Sequence, residues 1–199
     1  KYLVIGNPIE HSLSPKLHNY WFEKNNINAN YSKRKIDKDE IQGVISEIRD
    51  KRLNGINVTV PFKSDVIPFL DKLSEESRIT QSVNTIYMHN DKLIGHNTDI
   101  KGFELSLGET KFNLKNKKIF ILGAGGVVPS IIYALEKSGV SKIIVSNRTK
   151  GRAEDLKKNF PKIIVIDWGD QLEFDMIINA TSLGLNKEDD IGLNFKDMN

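Results

Sequence analysis

The sequence predicts an α/β chain folded as two α/β domains with a cleft between them. Short apolar runs alternate with amphipathic stretches along the whole chain, which is the pattern of an open α/β fold. From Lys117 onward the alternation becomes regular, and a glycine turn, Gly123 to Gly126, falls between an apolar strand and a helix. There is no internal repeat, low-complexity segment or Gly/Ser-rich linker. The boundary is placed near a helix at Lys101 to Leu107, giving domains 1–101 and 102–199.

Taken in order, Tyr2 to Ile5 reads as the first strand, followed by a polar loop through His11, Ser12 and Leu13. Ser14-Pro15 opens a helix, with Ser as N-cap and Pro at the first helical position. Asn30 to Lys35 is a weaker strand, and Ile41, Val44, Ile45 and Ile48 form the buried stripe of a second helix. Gly55 to Val60 is a strand ending at Pro61. Val83 to Met88 pairs through an Asn90-Asp91 turn with Lys92 to Gly95, and a helix starts just after Asp99. In the second domain, strand Lys118 to Leu122 leads into the glycine turn and a helix from Val127 to Ser138, ended by Gly139. Strand Lys142 to Ser146, helix Arg152 to Phe160, strand Ile163 to Asp167 and strand Met176 to Ala180 complete the pattern.

Composition excludes several classes. The 199 residues are 39% hydrophobic and 28% charged, which suits one sizeable core or two small ones. The net charge of +3 comes from 29 basic and 26 acidic residues scattered through the chain, so no basic stripe argues for nucleic acid or a membrane surface. No apolar run approaches the ~20 residues of a membrane span. The absence of cysteine excludes disulfides and thiolate metal sites and fits a cytoplasmic location. His11, His18, His89 and His96 have no metal-like spacing with carboxylates, so no metal is expected. The chain begins at Lys1 and stops inside the polar stretch Asn194 to Asn199, so both ends read as fragment boundaries and the second domain as incomplete at its C-terminus.

The segment Ile119 to Val128 carries a dinucleotide-binding turn of the Rossmann type. Gly123 allows the sharp turn, Ala124 lies within it, and Gly125 and Gly126 let backbone N–H groups approach a pyrophosphate at the helix N-terminus. The third position of the usual spacing is Val128 rather than a small residue, which sets strand and helix slightly further apart. An NAD site usually places Asp or Glu at the end of the next strand, to bind the ribose hydroxyls. Here that position reads Ser146-Asn147-Arg148-Thr149, with Arg152 one turn on. Two guanidiniums and a hydroxyl hold a 2′-phosphate where an Asp would repel it, so NADP(H) is the expected cofactor. In the more ordinary reading, Asn147 and Thr149 cap the helix and both arginines face water.

Three segments of the first domain are unusually polar for strand ends: Ser12-Leu-Ser14-Pro15, Asn57-Val-Thr59-Val-Pro61-Phe-Lys63, and Asn84-Thr85 together with Asn97-Thr98-Asp99. Side chains at the carboxyl ends of strands in such folds face a cleft that takes a polar ligand. With Gly6 to Pro15, Val83-Asn84-Thr85, Gly95 to Gly102, Gly123 to Gly126, Asn147-Arg-Thr149 and Asn179-Ala-Thr-Ser-Leu-Gly184, they form an ordered series that runs the length of the chain. In these motifs the sequence resembles the shikimate dehydrogenases. The resemblance implies an NADP-dependent oxidoreductase that reduces 3-dehydroshikimate to shikimate on the route to chorismate and the aromatic amino acids. It also implies a small-molecule substrate as partner, without nucleic acid or membrane, in a monomer or homodimer.

Carried over by position, Lys63 and Asp99 resemble the catalytic pair, and Ser12, Ser14, Thr59 and Asn84, together with that pair, resemble the substrate-binding set. Asn147, Arg148, Thr149 and Arg152 resemble the NADP-selective loop, and Asn179 and Thr181 the segment beside the nicotinamide. Where the family often has Gly-Ala, this chain has Gln81-Ser82. Family members also continue past the equivalent of Asn199, with helices that bring a glutamine to the substrate. A lysine ammonium can protonate the alkoxide formed by hydride transfer and take the proton back in oxidation, with Asp99 orienting it. By composition alone Lys63 could be a solvated loop residue, Asp99 a helix cap, and Ser14 a cap with its hydroxyl committed to backbone. Three alternatives stand beside the main reading. A quinate/shikimate dehydrogenase of broader cofactor use is disfavoured by Arg148 and Arg152, a non-catalytic ligand sensor by the retained Lys/Asp pair, and a tetrahydrofolate dehydrogenase by the Ser12/Ser14 loop.

Overall fold

Strand β1 (Tyr2–Gly6) organises the first half of the computed structural model, which describes residues 1–170, 172–184, 188–189 and 192–193. The chain divides into two units, Lys1–Asp99 and Ile100–Asn199. The polar stretch Asn194 to Asn199 lies outside the described residues.

In the first unit β1 is flanked in parallel by β2 (Tyr31–Lys35) and β3 (Gly55–Val58). The hairpin of β5 (Thr85–His89) and β6 (Lys92–His96) adds antiparallel to β3, and the two-residue β4 (Lys72–Leu73) closes the order β2-β1-β3-β5-β6-β4. Asn90 and Asp91 turn the hairpin with φ of 49° and 56°, the left-handed pair that matches the twist of the strands. β1 is buried on both faces, as a central parallel strand must be. Leu3 and Ile5 join Ile41, Val44, Ile45 and Ile48 of helix α2 (Ile41–Arg49) in one core. Val4 packs with Ile9 and Tyr31 against Phe22 of helix α1 (Ser14–Lys24) on the other face. β2 is an edge strand, and its Ser32, Lys33 and Lys35 are exposed.

The second unit is a parallel sheet in the order β10-β7-β8-β9, from β7 (Lys118–Leu122), β8 (Lys142–Ser146), β9 (Ile164–Ile166) and β10 (Met176–Asn179). Helix α5 (Val128–Lys137) buries Val128, Ile131, Ile132, Ala134 and Leu135. The opposite face collects Phe120, Leu122 and Ile144 with Ile166, Trp168, Phe174 and Ile177. After β9 the chain returns to the far side of β7, so the strand order reverses at β7. Ligands of such sheets bind outside the carboxyl ends at that switch point.

Several elements differ from the sequence expectation. Ser14 is the first residue of α1 rather than its N-cap. Leu13 holds the cap position, and the Ser12 hydroxyl accepts the Ser14 N–H at 3.3 Å, so the serine two residues upstream does the capping. β3 stops at Val58 because the Phe62 N–H bonds back to the Thr59 carbonyl and turns the chain out of the sheet. Helix α6 covers Lys150–Leu156 rather than Arg152 to Phe160. Its end tightens into i to i+3 bonds from Lys157, Lys158 and Asn159. Helix α3 (Glu75–Thr80) was not anticipated, although Ser74 caps it through the Ser77 N–H. Helix α4 (Asp99–Thr110) begins at Asp99 itself.

Gly123 has φ of +110°, and a Cβ there would lie 2.8 Å from the Ala180 carbonyl oxygen. Gly123→Ala is therefore expected to destabilise the second unit by about 1–3 kcal/mol through a strained backbone and a forced retreat of the Ala180 segment. Urea unfolding of the variant against wild type measures this, and an unchanged midpoint would contradict it.

Candidate functional site

The antiparallel hairpin decides where the polar segments meet. β3 runs parallel to β1, so the loops after both strands emerge at one edge of the sheet. β5 runs the other way, with Thr85 opposite Asn57 and His96 opposite Thr85. That brings the start of β5 and the end of β6 to the same edge. Asn84 and Thr85 thus lie at the amino end of an antiparallel strand, not at a carboxyl end as the sequence pattern suggested. Backbone bonds lock the convergence: Asn7 N–H to Val60 C=O, Thr59 N–H to Ile5 C=O, Val83 N–H to Lys63 C=O, and Asn84 N–H to His96 C=O.

At this edge Lys63 Nζ lies 2.6 Å from Asp99 Oδ2. The lysine side chain is 12% exposed and the aspartate 26%, so the pair is largely withdrawn from water while keeping an open side. Asn84 Nδ2 donates to the other Asp99 oxygen, Oδ1, at 2.8 Å and to Thr98 Oγ1 at 2.9 Å. The side-chain oxygen of Asn84, Oδ1, accepts the Thr98 N–H at 3.0 Å and the Thr85 hydroxyl at 2.9 Å. Asp99 does not cap α4. Its own N–H donates to Asn97 Oδ1 at 3.0 Å, which leaves the carboxylate to Lys63 and Asn84. Lys63 is likewise no solvated loop residue.

The fold brings Lys63, Asn84 and Asp99 into direct contact. Ser12 and Thr59, on loops leaving the same edge, and Ser14, at the start of α1, are partly buried, with no hydrogen bond to that trio among the described residues. Ser14 takes no part in capping through its side chain, so its hydroxyl is not committed to backbone. Asn57, Thr85 and Thr98 belong to the polar segments expected at the cleft but not to the expected site residues, and Tyr31 had no expected role. Asn57 was legible in principle, being an amide between buried Ile56 and Val58 in a core strand.

In the second unit three loops converge at the switch point. Gly123 N–H bonds to Ser146 C=O and Ala180 N–H to Leu122 C=O, both at 2.8 Å, which sets the turns after β7, β8 and β10 side by side. A Cβ at Gly125 would meet nothing within 4 Å, so space remains where a pyrophosphate would approach. Val127, at the N-cap of α5, makes no side-chain cap bond. Arg148 and Arg152 are exposed, and among the described residues neither has an acidic partner, whereas Lys150 of the same loop is paired with Asp167 at 2.9 Å. Thr149 occupies the N-cap position of α6 without a side-chain bond, and Asn147 Nδ2 donates to the Thr149 carbonyl. This donor set fits an NADP phosphate. Val128, at the third position of the glycine spacing, is fully buried. Asn179 and Thr181 are engaged within their own loop: Asn179 Oδ1 accepts from the Thr181 N–H and hydroxyl, and Nδ2 donates to the Leu183 carbonyl.

Residues 4–86 match the model of the shikimate dehydrogenase substrate binding domain, and residues 106–184 that of shikimate / quinate 5-dehydrogenase. The chain belongs to the shikimate dehydrogenase family. An NADP(+) shikimate dehydrogenase of Pelagibacter ubique is 60% identical over 195 residues, covering 98% of this chain and 74% of that protein. Among solved structures, the shikimate dehydrogenase of Aquifex aeolicus has a TM-score of 0.88 at 39% identity, over 96% of this chain and 72% of that one. The Thermus thermophilus shikimate 5-dehydrogenase in complex with NADP(H) and shikimate has a TM-score of 0.82 at 32% identity, over 92% and 69%. Among the described residues no three His, Asp or Glu side chains group as a metal site, and no helix is long and apolar enough to cross a membrane.

Elsewhere in the first unit, His18 of α1 stacks on Tyr31, with ring centroids 4.2 Å apart and planes 7° apart. Burial holds the His18 imidazole below its ordinary value of 6.5. The unfolded chain therefore takes up this proton more readily, so the stabilisation is complete above pH 6.5 and is lost as pH falls through the folded-state value. Between pH 7.5 and pH 5 the melting temperature of the wild type should fall further than that of His18→Phe. Parallel melting curves for the two proteins would count against this.

Proposed function

We propose that the protein interconverts 3-dehydroshikimate and shikimate with NADP(H), in the direction of ketone reduction, as a cytoplasmic step of chorismate and aromatic amino acid biosynthesis. The 2.6 Å contact between Lys63 and Asp99, with Asn84 on the second carboxylate oxygen, carries the reading. NADPH, when bound, supplies the hydride. Lys63 then passes a proton from Nζ to the oxygen as the carbonyl carbon accepts hydride, and in the oxidative direction takes the proton from the hydroxyl. Its positive charge also stabilises the alkoxide as it forms. Asp99 fixes the ammonium by one oxygen and is itself fixed by Asn84 through the other, so the donor is aimed before the substrate arrives.

Ser12, Ser14 and Thr59 are assigned to the carboxylate and hydroxyls of the substrate. Both amide protons of Asn84 are engaged in this arrangement. A substrate hydroxyl would therefore take the place of the Thr98 hydroxyl, and the main work of Asn84 is to hold Asp99. Gly123, Ala124, Gly125 and Gly126 are assigned to the pyrophosphate, and Asn147, Arg148, Thr149 and Arg152 to the adenosine phosphate. Asn179 and Thr181 shape the loop that borders the nicotinamide.

Absorbance of the reduced cofactor, followed with shikimate and NADP and then with quinate and NAD, tests the reading. The first pair should give the faster turnover, and a preference for the second would reassign substrate and cofactor. Lys63→Ala should lower kcat by about 10²–10⁴-fold with little change in KM for shikimate. Near-normal turnover would remove the acid/base role. Replacing Arg148 and Arg152 by Ala together should raise KM for NADP by about tenfold or more and leave that for NAD nearly unchanged. Equal effects would show that the guanidiniums do not read the phosphate.

A further inference from the structure

A line of side-chain hydrogen bonds in the first unit starts at a buried tyrosine and ends on Asp99. Tyr31 Oη lies 2.6 Å from Asn57 Oδ1, and Asn57 Nδ2 donates to Thr85 Oγ1 at 3.0 Å. The Thr85 hydroxyl donates to Asn84 Oδ1 at 2.9 Å, and Asn84 Nδ2 to Asp99 Oδ1 at 2.8 Å. Two backbone groups fix the sense of this line. Asn57 Nδ2 also faces the Asn84 carbonyl at 3.1 Å, which can only accept, and Asn84 Oδ1 also faces the Thr98 N–H at 3.0 Å, which can only donate. Neither amide can flip without setting like against like. Asn57 Oδ1 is therefore an acceptor, and the Tyr31 hydroxyl must be the donor. Burial favours its protonated form.

Tyr31 is held firmly at its own end. It is 4% exposed, stacked on His18, and its backbone is clasped both ways by Asn19, from Tyr31 N–H to Asn19 Oδ1 and from Asn19 Nδ2 to Tyr31 C=O, each at 2.8 Å. His18 and Asn19 follow Ser14 by about one helical turn on α1. The tyrosine thus joins the helix that begins with Ser14 to the hydrogen bonds that end on the carboxylate.

We propose that Tyr31 is a positioning residue for the reaction: acting through Asn57, Thr85 and Asn84 it sets the Asp99 carboxylate, and so the Lys63 ammonium, relative to the α1 loop that carries Ser12 and Ser14. The proposal rests on the acid/base reading of Lys63 and Asp99. Removing the Tyr31 hydroxyl leaves Asn57 Oδ1 without its donor and loosens each later link. A misplacement of that kind acts on the proton-transfer geometry, which turnover reports, more than on substrate binding.

The test is a double-mutant cycle in the full-length protein, with Tyr31→Phe, Asp99→Asn and the double variant assayed for shikimate oxidation with NADP. Tyr31→Phe is expected to lower kcat by about tenfold, shift its pH profile and leave KM for NADP unchanged. In the Asp99→Asn background the same change should cost less than about twofold, because the line then ends on an amide. A Tyr31→Phe enzyme with normal kcat and pH profile overturns the proposal even if its melting temperature drops, and so does a full loss that persists beside Asp99→Asn. Thr85→Val breaks the same line with an isosteric side chain and gives the same reading should Tyr31→Phe fold poorly. A wild type that does not oxidise shikimate would strike the proposed function instead. The relay would then be judged from the carbon-13 titration of the Asp99 carboxyl, which Tyr31→Phe must move.

Discussion

An ammonium and a carboxylate drawn to 2.6 Å and largely withdrawn from water are stable only if their remaining hydrogen-bonding capacity is met, and the first unit is arranged around that requirement. The second Asp99 oxygen needs a donor, which Asn84 supplies. Asn84 can supply it only if its side-chain oxygen Oδ1 is turned away, which the Thr98 N–H and the Thr85 hydroxyl ensure. Asn84, Thr85, Thr98 and Asp99 owe their places beside Lys63 to the reversal of β5 against β3, which brings three separate segments to one sheet edge. Chemistry and topology are therefore the same problem: a wholly parallel sheet would leave Asn84 at the opposite edge from Lys63.

The second unit solves a different problem with regular means. Its parallel strands put three turns at one edge, and a tight demand falls on Gly123, where the backbone passes so close to Ala180 that no side chain fits. Around it, the proposed phosphate site consists of exposed glycines and of two arginines without an acidic partner among the described residues, while the neighbouring Lys150 is tied to Asp167. Within one loop, then, the fold pairs one basic side chain and leaves two others open to a ligand.

Much of this was legible in the sequence. The glycine turn, the basic loop after β8, the Asn90-Asp91 hairpin and the stripe of Ile41, Val44, Ile45 and Ile48 each have a local physical signature that survives folding unchanged. What was not legible depends on groups far apart in sequence. Ser14 looks like a cap because Ser-Pro commonly is one, and only the loop geometry shows Ser12 in that role. Asp99 looks like a cap because it precedes a helix, until its carboxylate is seen to be held by Lys63 and Asn84. The short helix Glu75–Thr80 and the two-residue β4 are too brief to leave a period. Tyr31 reads as one more aromatic in a strand, because its hydroxyl partner lies 26 residues away.

The two margins of the first sheet are closed by opposite means. On one side β4 offers only Lys72 and Leu73, too little backbone for a foreign strand to grip. On the other, β2 is an edge strand long enough to recruit one, but its exposed Lys33 and Lys35 make it a poor template for pairing. A newly made chain in a crowded compartment can thus leave its border amides facing solvent without being stitched into a fibril, and it does so without spending any side chain that the reaction needs.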